Sequence, residues 1–477
     1  MGDVKTRRSS SARRVEPRRH ALTRNIATTL AVVVIPLLAL MAFVLLWALP
    51  RRDSLVGNFV NVDVLGRVPL ALGGIGLVWL LGVIAAHRLT RVPAYVSRGK
   101  RAFSQAFTAF MCLVVALPLA VTGWYTWVFR DGILSAAKDE HSATTPTFQP
   151  EAKDPWAGRD RVTLMLLGGD GGVGREGIRT DTVIVVSIDV HTGKAVTFSL
   201  PRNLRNVPFP QDSPLSKIYP TGFNNGGDAG ESMLNAIYRN VPALHPGVVG
   251  KTDNEGADAL KLGVSAALGL DVDYYVLVNL YGFREIVDAM GGITVNINRP
   301  IPINGDTDRR IPPTGWLKPG PNQHLDGYHA LWYARGRWGL TDYDRMERQR
   351  CAINAIVDEA NPGNLLWRFG KLAKAAKKMM RTDIPRKLLP ALAELAVKMK
   401  GQRIKNVLFQ HTDKFDPNDP DYAYVWRKVQ RALAKSSTTP LPSPSGSPSP
   451  SGTPTTKPRK NDPCAYNLIT KVPSNPY

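Results

Sequence analysis

Cysteine is scarce: Cys112, Cys351 and Cys464 are the 3 in 477 residues, with no CxxC pair and no Cys/His metal spacing. A disulfide framework and a zinc-ribbon domain are thereby excluded. Cys112 lies in an apolar run. Cys351 and Cys464 leave two readings open, one bridge in an oxidising compartment or a buried free Cys351. HExxH and GxSxG are also missing, and His324 and His329 lack metal-ligand spacing, which removes support for zinc or serine hydrolase chemistry. Gly169, Gly171 and Gly174 spell GxGxxG, but Arg179-Thr180-Asp181 and a second strand pattern follow. A dinucleotide fold needs a phosphate-binding helix there, so the glycines read as a hairpin loop. Gly250-Lys251-Thr252 ends like a P-loop, yet His245 occupies the place of its first glycine.

Acidic residues are outnumbered, 39 against 61 Lys and Arg, for a net charge of +22. The excess is concentrated in two places. Residues 1–24 carry eight Lys or Arg against Asp3 and Glu16, and residues 87–102 carry Arg88, Arg91, Arg98, Lys100 and Arg101 with no acid. Both segments border long apolar runs, over about 27–49, 68–86 and 107–128, each near the ~20 residues needed to cross a bilayer. This is a topology signal rather than a nucleic-acid footprint, and no nucleic-acid partner is expected. The first run is too long for a signal-peptide core, and Arg51-Arg52 follow it instead of a cleavage site, so it reads as an anchor. With the basic segments inside, the third helix exits outward past Trp124, Tyr125 and Trp127, making the rest of the chain extracytoplasmic in a multi-pass protein of the cytoplasmic membrane. A re-entrant second run would invert that topology.

The expected organisation is a basic leader at 1–26, three transmembrane helices over 27–130, a linker at 131–160, a folded domain at 161–435 and a disordered Ser/Pro-rich tail at 436–477. In the domain, Val- and Ile-rich strand patterns at Val162–Leu167, Thr182–Asp189, Ala195–Leu200, Tyr274–Leu280 and Ile293–Ile297 alternate with helical patterns. The helices are Gly230–Arg239, Glu255–Leu268, Phe283–Met290, Asp342–Glu359 and Pro385–Lys398. The fold class is α/β, a central mixed sheet flanked by helices and preceded by three transmembrane helices.

Two constellations carry chemistry. Asp170 and Asp181 flank the first inter-strand loop, placed to hold a hard divalent cation, or alternatively to form turns. Arg202 ends the third strand and Lys217 follows it. The densest feature is Arg335, Arg337, Arg345, Arg348 and Arg350 within sixteen residues, beside Asp342 and Asp344. Arg335 and Arg337 have extended spacing, while Arg345 and Arg348 share a helix face. Clustered guanidinium forks match phosphate oxygens; the competing reading is a salt-bridged helix pairing Asp342 with Arg345 and Asp344 with Arg348.

In order, these blocks resemble the LytR-CpsA-Psr family of envelope enzymes. The carrying residues are Leu166-Leu167-Gly168-Gly169-Asp170, Arg179-Thr180-Asp181-Thr182, Ser199-Leu200-Pro201-Arg202, Lys217-Ile218-Tyr219, Val287-Asp288-Ala289-Met290-Gly291-Gly292, Leu325-Asp326-Gly327, Tyr333-Ala334-Arg335 and Arg345-Met346-Glu347-Arg348-Gln349. The resemblance implies a phosphotransferase-type ligase that moves a glycopolymer, such as teichoic acid, from a polyprenyl-pyrophosphate carrier to peptidoglycan. It implies Mg²⁺ (or Mn²⁺) on Asp170 and Asp181. Arg179, Arg202, Lys217, Arg335, Arg337, Arg345, Arg348 and Gln349 would surround the pyrophosphate. Catalytic roles fall to Asp181, Arg179, Arg202, Arg335, Arg337 and Asp342, and an apolar channel in the core would take the lipid. Asn203 and Asn279 stand where the family usually has Asp. A non-catalytic polyprenyl-phosphate sensor and a lipid pyrophosphate hydrolase remain open alternatives on the same residues.

Overall fold

The computed structural model describes residues 21–43, 46, 61–136, 140–146, 154–169, 179–305, 310–359, 368, 380–399, 402, 404–437, 462 and 464–469. The chain forms two compact units, Met1–Asp131 and Gly132–Tyr477. In the first, helices α1 (Ala21–Phe43), α2 (Val62–Leu89) and α3 (Arg98–Ala136) are long and apolar enough to cross a membrane. Helices α2 and α3 overrun their apolar runs at both ends and α1 starts before its run, because an established helix continues into flanking polar residues; Asn61, for example, caps α2 by accepting from the amides of Asp63 and Val64. Their apolar faces stay exposed at Leu70, Val78, Leu113 and Leu117, as lipid-facing surfaces require.

The second unit is built on a six-stranded mixed sheet. Its strands are β1 (Arg161–Gly169), β2 (Thr180–Asp189), β3 (Ala195–Leu200), β4 (Tyr274–Asn279), β9 (Met380–Thr382) and β10 (Lys405–Leu408), in the order β10-β3-β2-β1-β4-β9. The β1-β2-β3 meander and the β4-β9 edge are antiparallel, while β1-β4 and β3-β10 are parallel. Alternation along the strands sets the two faces. Met165, Leu167, Val183, Val185 and Phe198 pack with α5 (Leu234–Leu244), α6 (Glu255–Leu268) and α11 (Tyr422–Ser437). Val162, Ile184, Val186 and Tyr274 face the other way, with Leu395 and Met399 of α10 (Leu389–Met399).

A smaller layer completes the unit. After α4 (Pro214–Ile218) and α5–α6 come α7 (Leu280–Met290) and the antiparallel pairs β5 (Ile293–Ile297) with β8 (Gly320–Leu325), and β6 (Ile301–Ile303) with β7 (Gly315–Leu317). Helices α8 (Gly327–Arg335) and α9 (Asp342–Glu359) pack against them. Asp326 caps α8, accepting from the His329 amide at 2.8 Å. Thr341 and Asp344 cap each other at the start of α9, a capping box with Asp in the third position.

Two expected boundaries move. Residues 140–146, expected in the linker, are bound to the domain: Ser142 and Thr144 hydroxyls donate to Asp258 at 2.6 and 2.7 Å, and Thr145 to Asp383 at 2.7 Å. Asp383 also forms a fully buried ion pair with Lys261 at 2.7 Å. The tail expected to be disordered is anchored near its end, because Cys464 forms a disulfide with Cys351 of α9. Asn296 and Asn298 then hold it, donating to Cys464 O at 2.8 Å and Ala465 O at 3.0 Å. Residues 438–461 lie outside the described residues. Because the disulfide spans 113 residues, Cys464→Ser is expected to cost about 2–5 kcal/mol of unfolding stability. Thermal melting with limited proteolysis near Tyr466 checks this, and an unchanged melt would contradict it.

Candidate active site

An apolar cavity of about 360 Å³ lies between one sheet face and helices α7, α8 and α9. Leu166, Ile184, Val276 and Val278 line it from the sheet, and Phe283, Ile286, Leu331, Ile353 and Ile356 from the helices. The same cavity is lined by Asp181, Arg335, Arg337, Arg345 and Gln349. An apolar wall continuous with three guanidiniums is suited to an amphipathic ligand with an anionic head.

The polar end is assembled from three places in the chain. Asp181, near the start of β2, accepts from Arg202 at 3.0 Å and from the buried Asn235 amide at 3.4 Å, both on Oδ1. Asp342, at the start of α9, pairs with Arg345 at 2.9 Å, Arg202 at 3.7 Å and Arg337 at 4.0 Å. Arg345 donates to the Asp181 carbonyl at 3.0 Å. It is 4 % exposed, and its Nε has no hydrogen-bond partner among the described residues. A buried unsatisfied donor on a cation is costly and is relieved by an anionic oxygen. Gln349, one turn on, donates to Thr182 Oγ1 at 2.8 Å. Gly168 permits this arrangement, since a Cβ there would lie 2.9 Å from Thr182 Cβ.

Burial pushes the Asp181 carboxyl up, but the Arg202 charge and hydrogen bond, with Arg345 and Asn235, outweigh it and hold the group below its ordinary value. Burial also draws the Arg345 guanidinium down, opposed by Asp342 and Asp181. An ionised Asp181, with Oδ1 occupied by donors, suits a hard cation, which takes one or two carboxylates and completes its shell with phosphate oxygens. Asp170, the expected second ligand, lies outside the described residues. Among the described residues no three His, Cys, Asp or Glu side chains cluster as a self-sufficient metal site.

Several expectations change. Arg335 is the last residue of α8 rather than part of an extended strand, and it lies over the Trp332 ring at 5.5 Å. Gly336 ends the helix and lets Arg337 reach the same cavity. Arg348 does not share the phosphate-facing surface with Arg345. It is buried, with its guanidinium donating to the Tyr333 and Gly336 carbonyls and its Nε to Asp344 O. Burial lowers its pKa to about 10, and its donors hold the end of α8, where a cation also complements the helix dipole. Of the two ion pairs in the salt-bridged-helix reading, Asp342–Arg345 forms, whereas Asp344 pairs with Arg299 at 3.4 Å. Lys217 is exposed on α4 and does not line the cavity. Arg179 pairs with Glu231; the sequence places Glu231 in a helix over Gly230–Arg239, whereas it lies in a 3-10 turn, Ala229–Ser232, ahead of α5, and helical spacing gives no sign of a partner 52 residues away. Asn279 lines the cavity and caps α7 by accepting from the Gly282 amide at 2.7 Å, a task an amide oxygen performs as a carboxylate does.

Arg202→Met removes the strongest influence lowering the Asp181 carboxyl while leaving its burial intact. The Asp181 titration midpoint, followed by carboxyl NMR, is therefore expected to move upward. Because the native value is depressed, the stabilisation from ionised Asp181 is present above the unfolded value of about 3.9 and is lost as pH falls through the native value. In the variant that loss begins at higher pH; an unmoved midpoint would contradict the assignment.

The LytR_cpsA_psr family model matches residues 128–439. The chain is 26 % identical over 293 residues to Biofilm regulatory protein A of Streptococcus mutans, covering 60 % of this chain and 63 % of that protein. It is 28 % identical over 242 residues to the polyisoprenyl-teichoic acid–peptidoglycan teichoic acid transferase TagU of Oceanobacillus iheyensis, covering 50 % and 64 % respectively. Thus the match spans under two thirds of the length of either relative. The crystal structure of B. subtilis TagV aligns with a TM-score of 0.41 at 25 % identity, covering 59 % of this chain and 99 % of that one. With its family match spanning well over half of its length, the chain belongs to the LytR-CpsA-Psr family.

Proposed function

We propose that the protein transfers a glycopolymer from a polyprenyl-pyrophosphate carrier to peptidoglycan, joining them by a phosphodiester. The observation that carries this reading is a cavity whose apolar lining ends on Asp181, Arg335, Arg337, Arg345 and Gln349. A polyprenyl chain fills the apolar part, and the pyrophosphate meets the guanidiniums. Relatives named as teichoic acid–peptidoglycan transferases support the substrate class.

In this reading Arg335, Arg337 and Arg345 bind the two phosphoryl groups and spread their charge in the transition state. Asp342 orients Arg345, Arg202 and Arg337, and prevents their mutual repulsion from splaying the site. Asp181 and Asp170 would hold Mg²⁺ (or Mn²⁺), which when bound neutralises phosphate oxygens. The acceptor hydroxyl forms a new P–O bond to the phosphorus carrying the glycan and releases its proton to solvent water. The bond from that phosphorus to the bridging oxygen breaks, and polyprenyl phosphate leaves with the electron pair. No nucleotide is required, since the pyrophosphate linkage supplies the driving force.

An extracytoplasmic domain fits this chemistry. Supporting it are the basic segments flanking the apolar helices and the Cys351–Cys464 disulfide, a bond that persists in oxidising compartments. Three helices able to cross the membrane would keep the enzyme with a carrier that cannot leave the bilayer.

The full-length protein in detergent, given a polyprenyl-pyrophosphate glycan, Mg²⁺ and peptidoglycan oligomers, is expected to yield a phosphodiester-linked conjugate by mass spectrometry. Arg345→Ala or Asp181→Ala is expected to reduce its rate by about a hundredfold or more. Glycan phosphate released without conjugate would replace transfer by hydrolysis, and lipid binding without turnover would replace it by sensing.

A further inference from the structure

The motif Arg179-Thr180-Asp181 is braced by a segment outside every family block noted in the sequence, the 3-10 turn Ala229–Ser232 and the start of α5. It is fastened to the end of β3: the Asn235 amide donates to the Arg202 carbonyl at 3.1 Å and the Leu234 amide to the Leu204 carbonyl at 2.8 Å. From this base two side chains reach the motif Arg179-Thr180-Asp181. Asn235, 4 % exposed, donates to the Asp181 oxygen that also receives Arg202. Glu231 receives Arg179 on Oε1, and Arg239 and Asn240 on Oε2. Its carbonyl accepts from the Asn225 and Asn240 amides at 3.1 and 3.0 Å, so backbone and side chain are both fixed.

We propose that Glu231 and Asn235 are positioning residues of the anion site, Glu231 setting the direction of the Arg179 guanidinium and Asn235 that of the Asp181 carboxylate. The ligand in this inference is the pyrophosphate of the proposed function. Arg179 is only about a third exposed, and Glu231 about the same, so the pair sits partly out of water. An arginine held in one rotamer before the ligand arrives loses less entropy on binding than one that must be ordered by it. The bridge through Glu231 to Arg239 and Asn240 is what supplies that order. For Asp181, two donors on one oxygen fix the carboxylate plane, so the other oxygen keeps one direction. A salt bridge that served only folding would alter the melt and leave the response of Arg179 to ligand unchanged.

Double-mutant cycles on the full-length protein test this, with geranylgeranyl pyrophosphate and Mg²⁺ as the probe and calorimetry as the readout. Glu231→Gln is expected to weaken binding about tenfold when Arg179 is present and less than twofold in the Arg179→Ala background. The same non-additivity is expected for Asn235→Ala with Asp181→Ala. Equal losses in both backgrounds would overturn the inference, as would full-strength binding by Glu231→Gln. A wild type that binds no probe would overturn the proposed function instead. Positioning is then read from the Arg179 Nε–H NMR resonance without ligand: Glu231→Gln is expected to shift and broaden it, and an unmoved resonance would overturn the inference separately.

Discussion

Three guanidinium groups, those of Arg202, Arg337 and Arg345, converge on one carboxylate, Asp342. Like charges packed this closely repel, and in the partly desolvated end of the cavity water screens them poorly. The arrangement therefore needs its counter-charges: Asp342 on the helix and Asp181 on the strand, which together hold Arg202 and Arg345. Much of the surrounding structure serves this convergence. The capping box at Thr341 and Asp344 starts α9 where Asp342 faces the strand. Arg348 fixes the end of α8 from which Arg335 and Arg337 project. Gly168 leaves room for Thr182 and Gln349 to meet.

The charged end is joined to an apolar one by the sheet itself. Alternation turns Leu167 into the core and leaves Leu166 on the cavity side, with Ile184, Val276 and Val278 beside it. Helices α7, α8 and α9 roof this surface without filling it. Arg345 and Gln349 share α9 with Ile353 and Ile356, so one helix presents polar groups near its start and apolar groups farther along. A ligand with a charged head and a long apolar tail matches that gradient.

Much of this was legible in the sequence where the signal is local. Ala195–Leu200, Ile293–Ile297, Glu255–Leu268 and Asp342–Glu359 form with the bounds expected from pattern and caps, and five residues of the ordered motifs, Asp181, Arg335, Arg337, Arg345 and Gln349, line one cavity. Short strands such as Met380–Thr382 and Lys405–Leu408 were not legible, because three or four residues carry no periodicity and depend on the neighbouring strand. Arg348 was misplaced because spacing gives a shared helix face but not where a long side chain ends. Glu231 and Asn235 were missed because their partners lie some fifty residues away in sequence. The anchoring of Cys464 was one of two readings, and only the meeting of α9 with the 464–469 segment decides between them.

The proposed transfer requires one cavity to take both the prenyl tail and the pyrophosphate. The most direct measurement is photocrosslinking of the full-length protein with a prenyl pyrophosphate carrying a diazirine at the end of its tail, followed by peptide mapping. Adducts on Phe283, Ile286, Ile353 or Ile356, displaced by unlabelled prenyl pyrophosphate and reduced by Arg345→Ala, are the predicted result. Adducts confined to the three N-terminal helices, or indifferent to competitor and to Arg345, would contradict the account.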